Sequence, residues 1–385
     1  METKYLIIGS GVAALQAAKG IRKKDPDSTI TLVSKEEHLP YFRVRLTEAI
    51  ASGASLEDLL VEESSFYEKN RIRILLRTAV TQVDYEKKEA TLAGGDCIQY
   101  EKLLLAVGSQ PFIPPYEGRH KENVFSVRTY RDIERLREKL DSMRRILVVG
   151  GGLLGLEAAH SLLQKGLEVH VCDFGPRLLG KQVNEKISAR LQADLEKEGL
   201  LIHTGATLKE VVGFNQVERV ILTDDESFDC DGVLFSVGVR AQTDLAEGLD
   251  INRGICTNEK LETTHADVWA AGDCAEVNGN SYGLWTASMQ MGKIAGENMT
   301  GGAECFSNPQ LFTKLEIGKV KIFSAGSYEG DEAWEETVDG TQVQIFYREG
   351  TIIGGILYGS TAKMSKVRKL IRTQTPQNEL KELFL

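Results

Sequence analysis

Two stretches of this chain repeat one another in register. Residues 4–14 (KYLIIGSGVAA) are echoed by residues 145–155 (RILVVGGGLLG), so that Gly9, Gly11 and Ala14 map onto Gly150, Gly152 and Gly155 by one constant shift of 141 positions. Each copy is an apolar run of strand length, a glycine turn, and a helical pattern (Leu15 to Gly20; Leu156 to Leu163) that leads to a second apolar run, Thr29 to Val33 or Leu167 to Val171. That is a βαβ unit carrying G-x-G-x-x-[GA]. The first glycine permits the tight turn, and the second lets backbone N–H groups approach a pyrophosphate. The third position, glycine or alanine, lets the helix pack closely on the strand. The helix N-terminus then faces the phosphate charge. One such match is weak, but two in strand–turn–helix context point to two dinucleotide sites in one chain.

The second copy also supplies an acid. Asp173 ends its second strand, where a carboxylate accepts hydrogen bonds from both adenosine ribose hydroxyls and repels a 2′-phosphate. The pattern therefore predicts NADH in preference to NADPH, with Arg177 the one neighbour able to meet a phosphate. In the first copy the strand ends at Ser34, Lys35, Glu36 and Glu37. Glu36 is the expected ribose carboxylate there, against the alternative of a solvated charge pair. A second repeated element follows: residues 103–108 (LLLAVG) resemble residues 233–238 (VLFSVG), and Pro111, Pro114 and Pro115 after the first break regular structure and mark a crossover. Residues 267–273 (DVWAAGD) are another strand that runs into Gly-Asp. An acid at the carboxyl end of such a strand opens onto the ligand crevice and can bind sugar or ribityl hydroxyls.

The simplest assembly is an α/β fold of two Rossmann-like dinucleotide-binding domains, the first discontinuous, plus a small C-terminal α+β domain. Residues 1–110 and 242–302 form the first, 111–241 the second, and 303–385 the last. The C-terminal part shows alternating strand-like runs (Lys319 to Phe323, Gln342 to Tyr347, Thr351 to Ile353, Gly355 to Tyr358) and a basic segment from Lys363 to Arg372.

Composition narrows the chemistry. Glycine is in surplus, 37 residues against 8 prolines, which fits functional turns better than low complexity. The net charge of -10 disfavours nucleic-acid binding, which calls for a basic stripe. Cys97, Cys172, Cys230, Cys256, Cys274 and Cys305 are scattered with no C-x-x-C, so no metal site, iron–sulfur centre or redox dithiol is expected. The N-terminus lacks the long apolar core of a signal peptide, and no apolar run approaches the ~20 residues of a membrane span. A cytoplasmic protein without membrane contact is expected.

The order of the motifs now resembles the FAD- and NAD(P)H-dependent pyridine nucleotide oxidoreductases: first glycine motif, the strand ending Ala106 to Gly108, second glycine motif ending in Glu157, then Ala271 to Asp273. Residues 39–46 (LPYFRVRL), 148–157 (VVGGGLLGLE) and 313–318 (TKLEIG) are most similar to NADH:rubredoxin oxidoreductase and to the flavin portion of the assimilatory nitrite reductase large subunit. The resemblance implies FAD in the first domain and NADH in the second. Gly9, Ser10, Gly11, Val12 and Ala13 would hold the FAD pyrophosphate, Glu36 the adenosine ribose, Val80 the adenine edge through its backbone, and Asp273 the ribityl end. Arg43, Arg45, Ala106, Gly108, Arg128 and Trp285 would lie along the flavin. Gly150, Gly152, Leu153, Leu154, Gly155, Asp173 and Gly238 would hold NAD, with Glu157 orienting the nicotinamide as the one side chain open to a catalytic part. Two departures matter. Many relatives carry R-P-x-L-S-K where residues 43–48 read RVRLTE, so a lysine near the flavin is missing and Arg45 is placed to replace its charge. Relatives that reduce disulfides or peroxide carry a cysteine between residues 40 and 50, and this chain has none, which removes the dithiol and sulfenic-acid routes.

What the resemblance then implies is hydride transfer from NADH to FAD and release of electrons to a small carrier, rubredoxin or a flavorubredoxin. Two other readings stay open: a flavin subunit of a nitrite-reductase-type complex, and a slow-turnover flavin redox sensor. Lys363, Lys366, Arg368, Lys369 and Arg372 contain no acid among them. They are the expected docking patch for an acidic carrier, against the alternative of a solvated helix face.

Overall fold

A computed structural model describes residues 1–376; the end of the expected C-terminal domain, 377–385, lies outside the described residues. The chain divides into two compact units. The first comprises Met1–Leu46, Ala54–Phe112 and Gly238–Asn308. Its sheet places Ile72–Leu75, Ile30–Val33, Glu2–Ile8 and Cys97–Leu105 side by side and parallel, with Val268–Ala270 beside the carboxyl half of the last. Glu89–Leu92 and Val80–Asp84 extend it antiparallel from the amino half. Parallel strands are covered on both faces and so read as unbroken apolar runs; Leu6, Ile7, Leu32, Leu103, Leu104 and Leu105 are all fully buried.

Two helices pack in this unit almost backbone to backbone. A Cβ on Gly292 would stand 2.1 Å from the Ala13 carbonyl oxygen, and one on Gly296 would stand 2.3 Å from that of Ala17. Small residues on both sides let Val12–Lys24 and Trp285–Met299 come this close. The contact fixes the start of the first helix beside the strand ends. Arg22, Lys23 and Lys24 close that helix, where cations favour the dipole.

The second unit comprises Thr47–Gly53, Ile113–Val237 and, among the described residues, 309–376. Its parallel sheet runs Leu201–Thr204, Glu168–Asp173, Arg145–Val149, Gly232–Phe235, Val124–Ser126. Leu208–Val212, Arg219–Leu222 and Ser227–Asp229 form a small antiparallel sheet. Helix Tyr130–Leu140 begins at a capping box in which the Thr129 and Asp132 side chains satisfy each other's backbone N–H groups. The sequence reading takes residues 47–53 with the first domain, whereas Thr47–Gly53 clusters with this unit. Its Thr47 hydroxyl bonds Glu157, and the Arg137 guanidinium bonds the Ala49 carbonyl.

From Phe312 onward the chain forms a five-stranded antiparallel sheet in the order Phe312–Ile317, Val320–Gly326, Thr351–Tyr358, Thr341–Arg348, Glu332–Val338. Helix Met364–Arg372 buries Val367 and Leu370. Two of the runs read from the sequence are one strand here. Gly354 and Gly355 interrupt the apolar pattern because no side chain fits: a Cβ on Gly354 would be 1.9 Å from the Ser327 carbonyl oxygen and one on Gly355 2.7 Å from Val367.

Candidate functional sites

In the first unit the glycine turn works by close approach. Gly9 has φ +123°, its N–H donates to the Val33 carbonyl at 2.8 Å, and a Cβ there would lie 2.1 Å from the Ala106 carbonyl oxygen. No side chain is tolerated at Gly9. Gly11 is the opposite case. It caps helix Val12–Lys24 with ordinary backbone angles, no side chain bonds the cap, the first turn holds no acid, and nothing lies within 4 Å of where its Cβ would stand. The first N–H groups of a helix have no partner within it, so this end offers donors and positive potential to an open space. Buried Ser10 shares a hydrogen bond with the Ser34 hydroxyl at 2.6 Å.

Around this opening the structure gathers Glu36, Tyr41, Arg43 and Asp273. The Tyr41 hydroxyl donates to Glu36 at 2.8 Å, the Arg43 guanidinium bonds the other Glu36 oxygen, and it lies 4.7 Å over the Tyr41 ring. Burial works against the Arg43 cation, but Tyr41, Glu36 and Asp273 outweigh it and hold its pKa above the ordinary value. The Asp273 oxygens accept from Ser109 at 3.1 Å and Ser288 at 3.2 Å. Arg45 points elsewhere, donating to the Asp58 carbonyl at 3.2 Å. Trp285 opens its helix with its ring 5.7 Å from that of Phe42. Val80 is half-buried at the start of Val80–Asp84, Ala106 is buried, and the Gly108 carbonyl accepts from Gln242. Cys274 is fully buried, its thiol bonded to the Leu105 and Ala271 carbonyls and pushed up to about 11 by burial.

The second unit repeats the construction. Gly150 has φ +118°, and a Cβ there would meet the Ser236 carbonyl oxygen at 2.4 Å; one on Gly155 would be 1.9 Å from the Gly150 carbonyl oxygen. Gly152 again caps its helix, Leu153–Gln164, with no side-chain bond, no acid in the first turn and open space around it. Leu153 is half-buried and Leu154 about half exposed. The Asp173 carboxylate bridges two backbone N–H groups at 2.7 Å each, Gly151 on one oxygen and Gly175 on the other. Glu157 accepts from the Thr47 hydroxyl at 2.9 Å; burial raises its pKa, the Thr47 bond opposes this, and Glu48 adds to the rise. Two expected residues fall on the other side of the division. Arg128 lies in the second unit, its N–H bonded to Asp132, and Gly238 lies in the first, its carbonyl accepting from Phe112.

Sequence reading missed Tyr41, Thr47, Ser109 and Ser288. The signal for Tyr41 was its place two residues before Arg43; the serines carried none.

Each unit thus presents a parallel sheet, an uncapped helix start that would lose its opening to any side chain at Gly11 or Gly152, and an acid at a neighbouring strand end. The residues fit two phosphate-bridged nucleotides, and the class they define is a two-dinucleotide oxidoreductase. The chain belongs to the pyridine nucleotide-disulphide oxidoreductase family, which it matches over residues 3–292, and residues 312–375 match the rubredoxin NAD+ reductase C-terminal domain. FAD and NADH are the cofactors of this family. Among curated relatives, it is 30% identical over 392 residues to the nitrite reductase [NAD(P)H] of Bacillus subtilis, covering 99% of this chain and 49% of that one. It is 29% identical to the NADH-rubredoxin oxidoreductase of Clostridium acetobutylicum, covering 96% and 94%. Among solved structures, the ferredoxin reductase of the CYP199A2 system from Rhodopseudomonas palustris superposes with a TM-score of 0.89 at 25% identity, covering all of both chains. The chain spans half or less of the length of the nitrite reductases it matches. Among the described residues no helix is long and apolar enough to cross a membrane.

Proposed function

We propose that this chain is a cytoplasmic NADH-dependent flavoprotein reductase that delivers electrons to a small carrier protein of the rubredoxin or flavorubredoxin kind. The observation that carries the reading is the duplicated opening at Gly11 and Gly152, each at the start of a helix with no cap of its own. When held by these residues, FAD would supply the chemistry of taking up an electron pair as hydride and giving it up one electron at a time. The chain's own work is to bind, orient and balance charge. Residues 9–13 present N–H groups to a pyrophosphate, with Arg43 as the neighbouring cation. Glu36, steadied by Tyr41, takes the adenosine ribose, Val80 the adenine edge, and Asp273, steadied by Ser109 and Ser288, the ribityl chain. Ala106, Gly108 and Trp285 serve the flavin ring. Gly150, Gly152, Leu153, Leu154 and Gly155 receive NADH, Asp173 selects it through its ribose, and Glu157 orients the nicotinamide.

The extent of similarity to nitrite reductases favours a second reading, in which the chain is the flavin part of such a system. A carrier assay separates the two: anaerobic NADH oxidation should be stimulated by rubredoxin, and stimulation only by a sirohaem partner would favour the second.

The docking surface we propose is helix Met364–Arg372. Lys369 and Arg372 are exposed on it and Lys366 is half-buried. Arg368 packs over the Phe312 ring at 4.4 Å and Lys363 pairs with Asp339 at 3.3 Å, so these two contribute charge while anchored. The test of the whole reading is flavin retention. The purified protein should hold one FAD per chain, and Gly11→Ala should fold normally yet lose it, since the added methyl meets nothing but the ligand. A colourless protein that takes up no flavin refutes the proposal.

A further inference from the structure

Phe174 is 82% exposed although it directly follows a buried strand, Glu168–Asp173. It sits at the apex of a turn that is fastened twice. The Asp173 carboxylate accepts from Gly175 N–H at 2.7 Å, and the Gly175 carbonyl accepts from Gly205 N–H at 2.8 Å. Gly205 follows Leu201–Thr204, the neighbouring parallel strand, in which Thr204 pairs with Asp173. Phe174 and Gly205 therefore stand together at the carboxyl ends of adjacent strands, where α/β sheets take their ligands. Nothing lies within 4 Å of where a Gly205 Cβ would be, so the space beside the turn is open.

We propose that Phe174 is the adenine-stacking residue for NADH, with the base entering the open space over Gly205. This rests on reading the second unit as the NADH-binding one. Asp173 is the residue placed to receive the ribose, and adenine is bonded directly to that ribose, so the base must lie within a residue's reach of Asp173. An aromatic ring held out into solvent by a doubly fastened turn is a preformed platform, and little ordering is lost when a base stacks on it. Phe214 provides a control on the same unit. It is 87% exposed, but it lies in the connection between Leu208–Val212 and Arg219–Leu222, two strands of the small antiparallel sheet, and not at the carboxyl end of a parallel strand.

The flavin-loaded protein would be titrated with NAD+ and with ADP-ribose by calorimetry. Phe174→Ala should weaken both by roughly five- to a hundredfold, the range of base–aromatic stacking. Phe174→Trp should restore binding, and Phe214→Ala should leave it unchanged. Reduced nicotinamide mononucleotide, which lacks adenine, should reduce the flavin of Phe174→Ala as fast as that of the unmodified chain. Unmodified binding that survives Phe174→Ala overturns the stacking alone. A chain that binds neither NAD+ nor ADP-ribose overturns the NADH reading as well.

Discussion

The Thr47 hydroxyl donates to the Glu157 carboxylate across 2.9 Å, joining residues 110 positions apart in sequence. Burial pushes this carboxyl's pKa upward, the Thr47 bond opposes the rise, and Glu48 adds to it. Because the folded chain holds this proton more tightly than the unfolded one, stability should fall as pH rises from the ordinary carboxylate range through the raised value. Glu157→Gln should abolish that part of the slope, whereas Thr47→Val should cost about 1 kcal/mol and Thr47→Ser very little. Urea unfolding between about pH 4 and 8 would measure this. An unchanged slope in Glu157→Gln would remove the carboxyl from the account.

Asp173 has two jobs that substitution can separate. Its oxygens satisfy the Gly151 and Gly175 N–H groups, and under the proposed function its charge would repel a 2′-phosphate. Asp173→Ala should therefore lose ~1–3 kcal/mol of stability for the exposed donors and also narrow cofactor preference. Asp173→Asn keeps one good acceptor and drops the charge, so it should narrow the preference at a smaller stability cost. The unmodified enzyme should favour NADH by at least about tenfold in kcat/KM. Equal use of both cofactors would count against Asp173.

The packing of Gly292 and Gly296 on Ala13 and Ala17 leaves no room for a methyl. Gly296→Ala should cost ~1–3 kcal/mol by forcing the helices apart, and flavin should dissociate more readily because the moved helix begins at Gly11. Gly94→Ala meets nothing within 4 Å and serves as the control. Melting temperature and flavin absorbance retained after gel filtration are the two readouts.

Where the sequence was readable, physics demanded particular residue types. Gly9 and Gly150 cannot be replaced without striking a carbonyl oxygen, and strands buried on both faces cannot be polar, so both βα turns and their strands stood out. Strand Glu332–Val338 did not. It lies at a sheet edge and is mostly exposed, so nothing selects an apolar pattern there. The departure of Thr47–Gly53 from the first unit was equally hidden, since it depends on the long-range bonds from Thr47 and Arg137. Arg43 read as a residue of the flavin ring segment; its ion pair with Glu36 belongs to tertiary geometry that spacing alone does not carry.

The last prediction concerns the carrier. The chain's net charge is -10, and carriers of the rubredoxin kind are acidic, so attraction has to come from a local patch. On helix Met364–Arg372 the exposed cations are Lys369 and Arg372, while Lys363 is partly neutralised by Asp339. Reversing Lys369 and Arg372 to glutamate should slow carrier reduction at low ionic strength and flatten its salt dependence, because steering acts over about a Debye length. Reduction of the flavin by NADH should stay unchanged, since neither side chain belongs to the nucleotide sites proposed above. Neither residue is buried, so the fold should tolerate the change. Carrier kinetics identical to those of the unmodified chain at ~10 mM salt would return this helix to an ordinary solvated face.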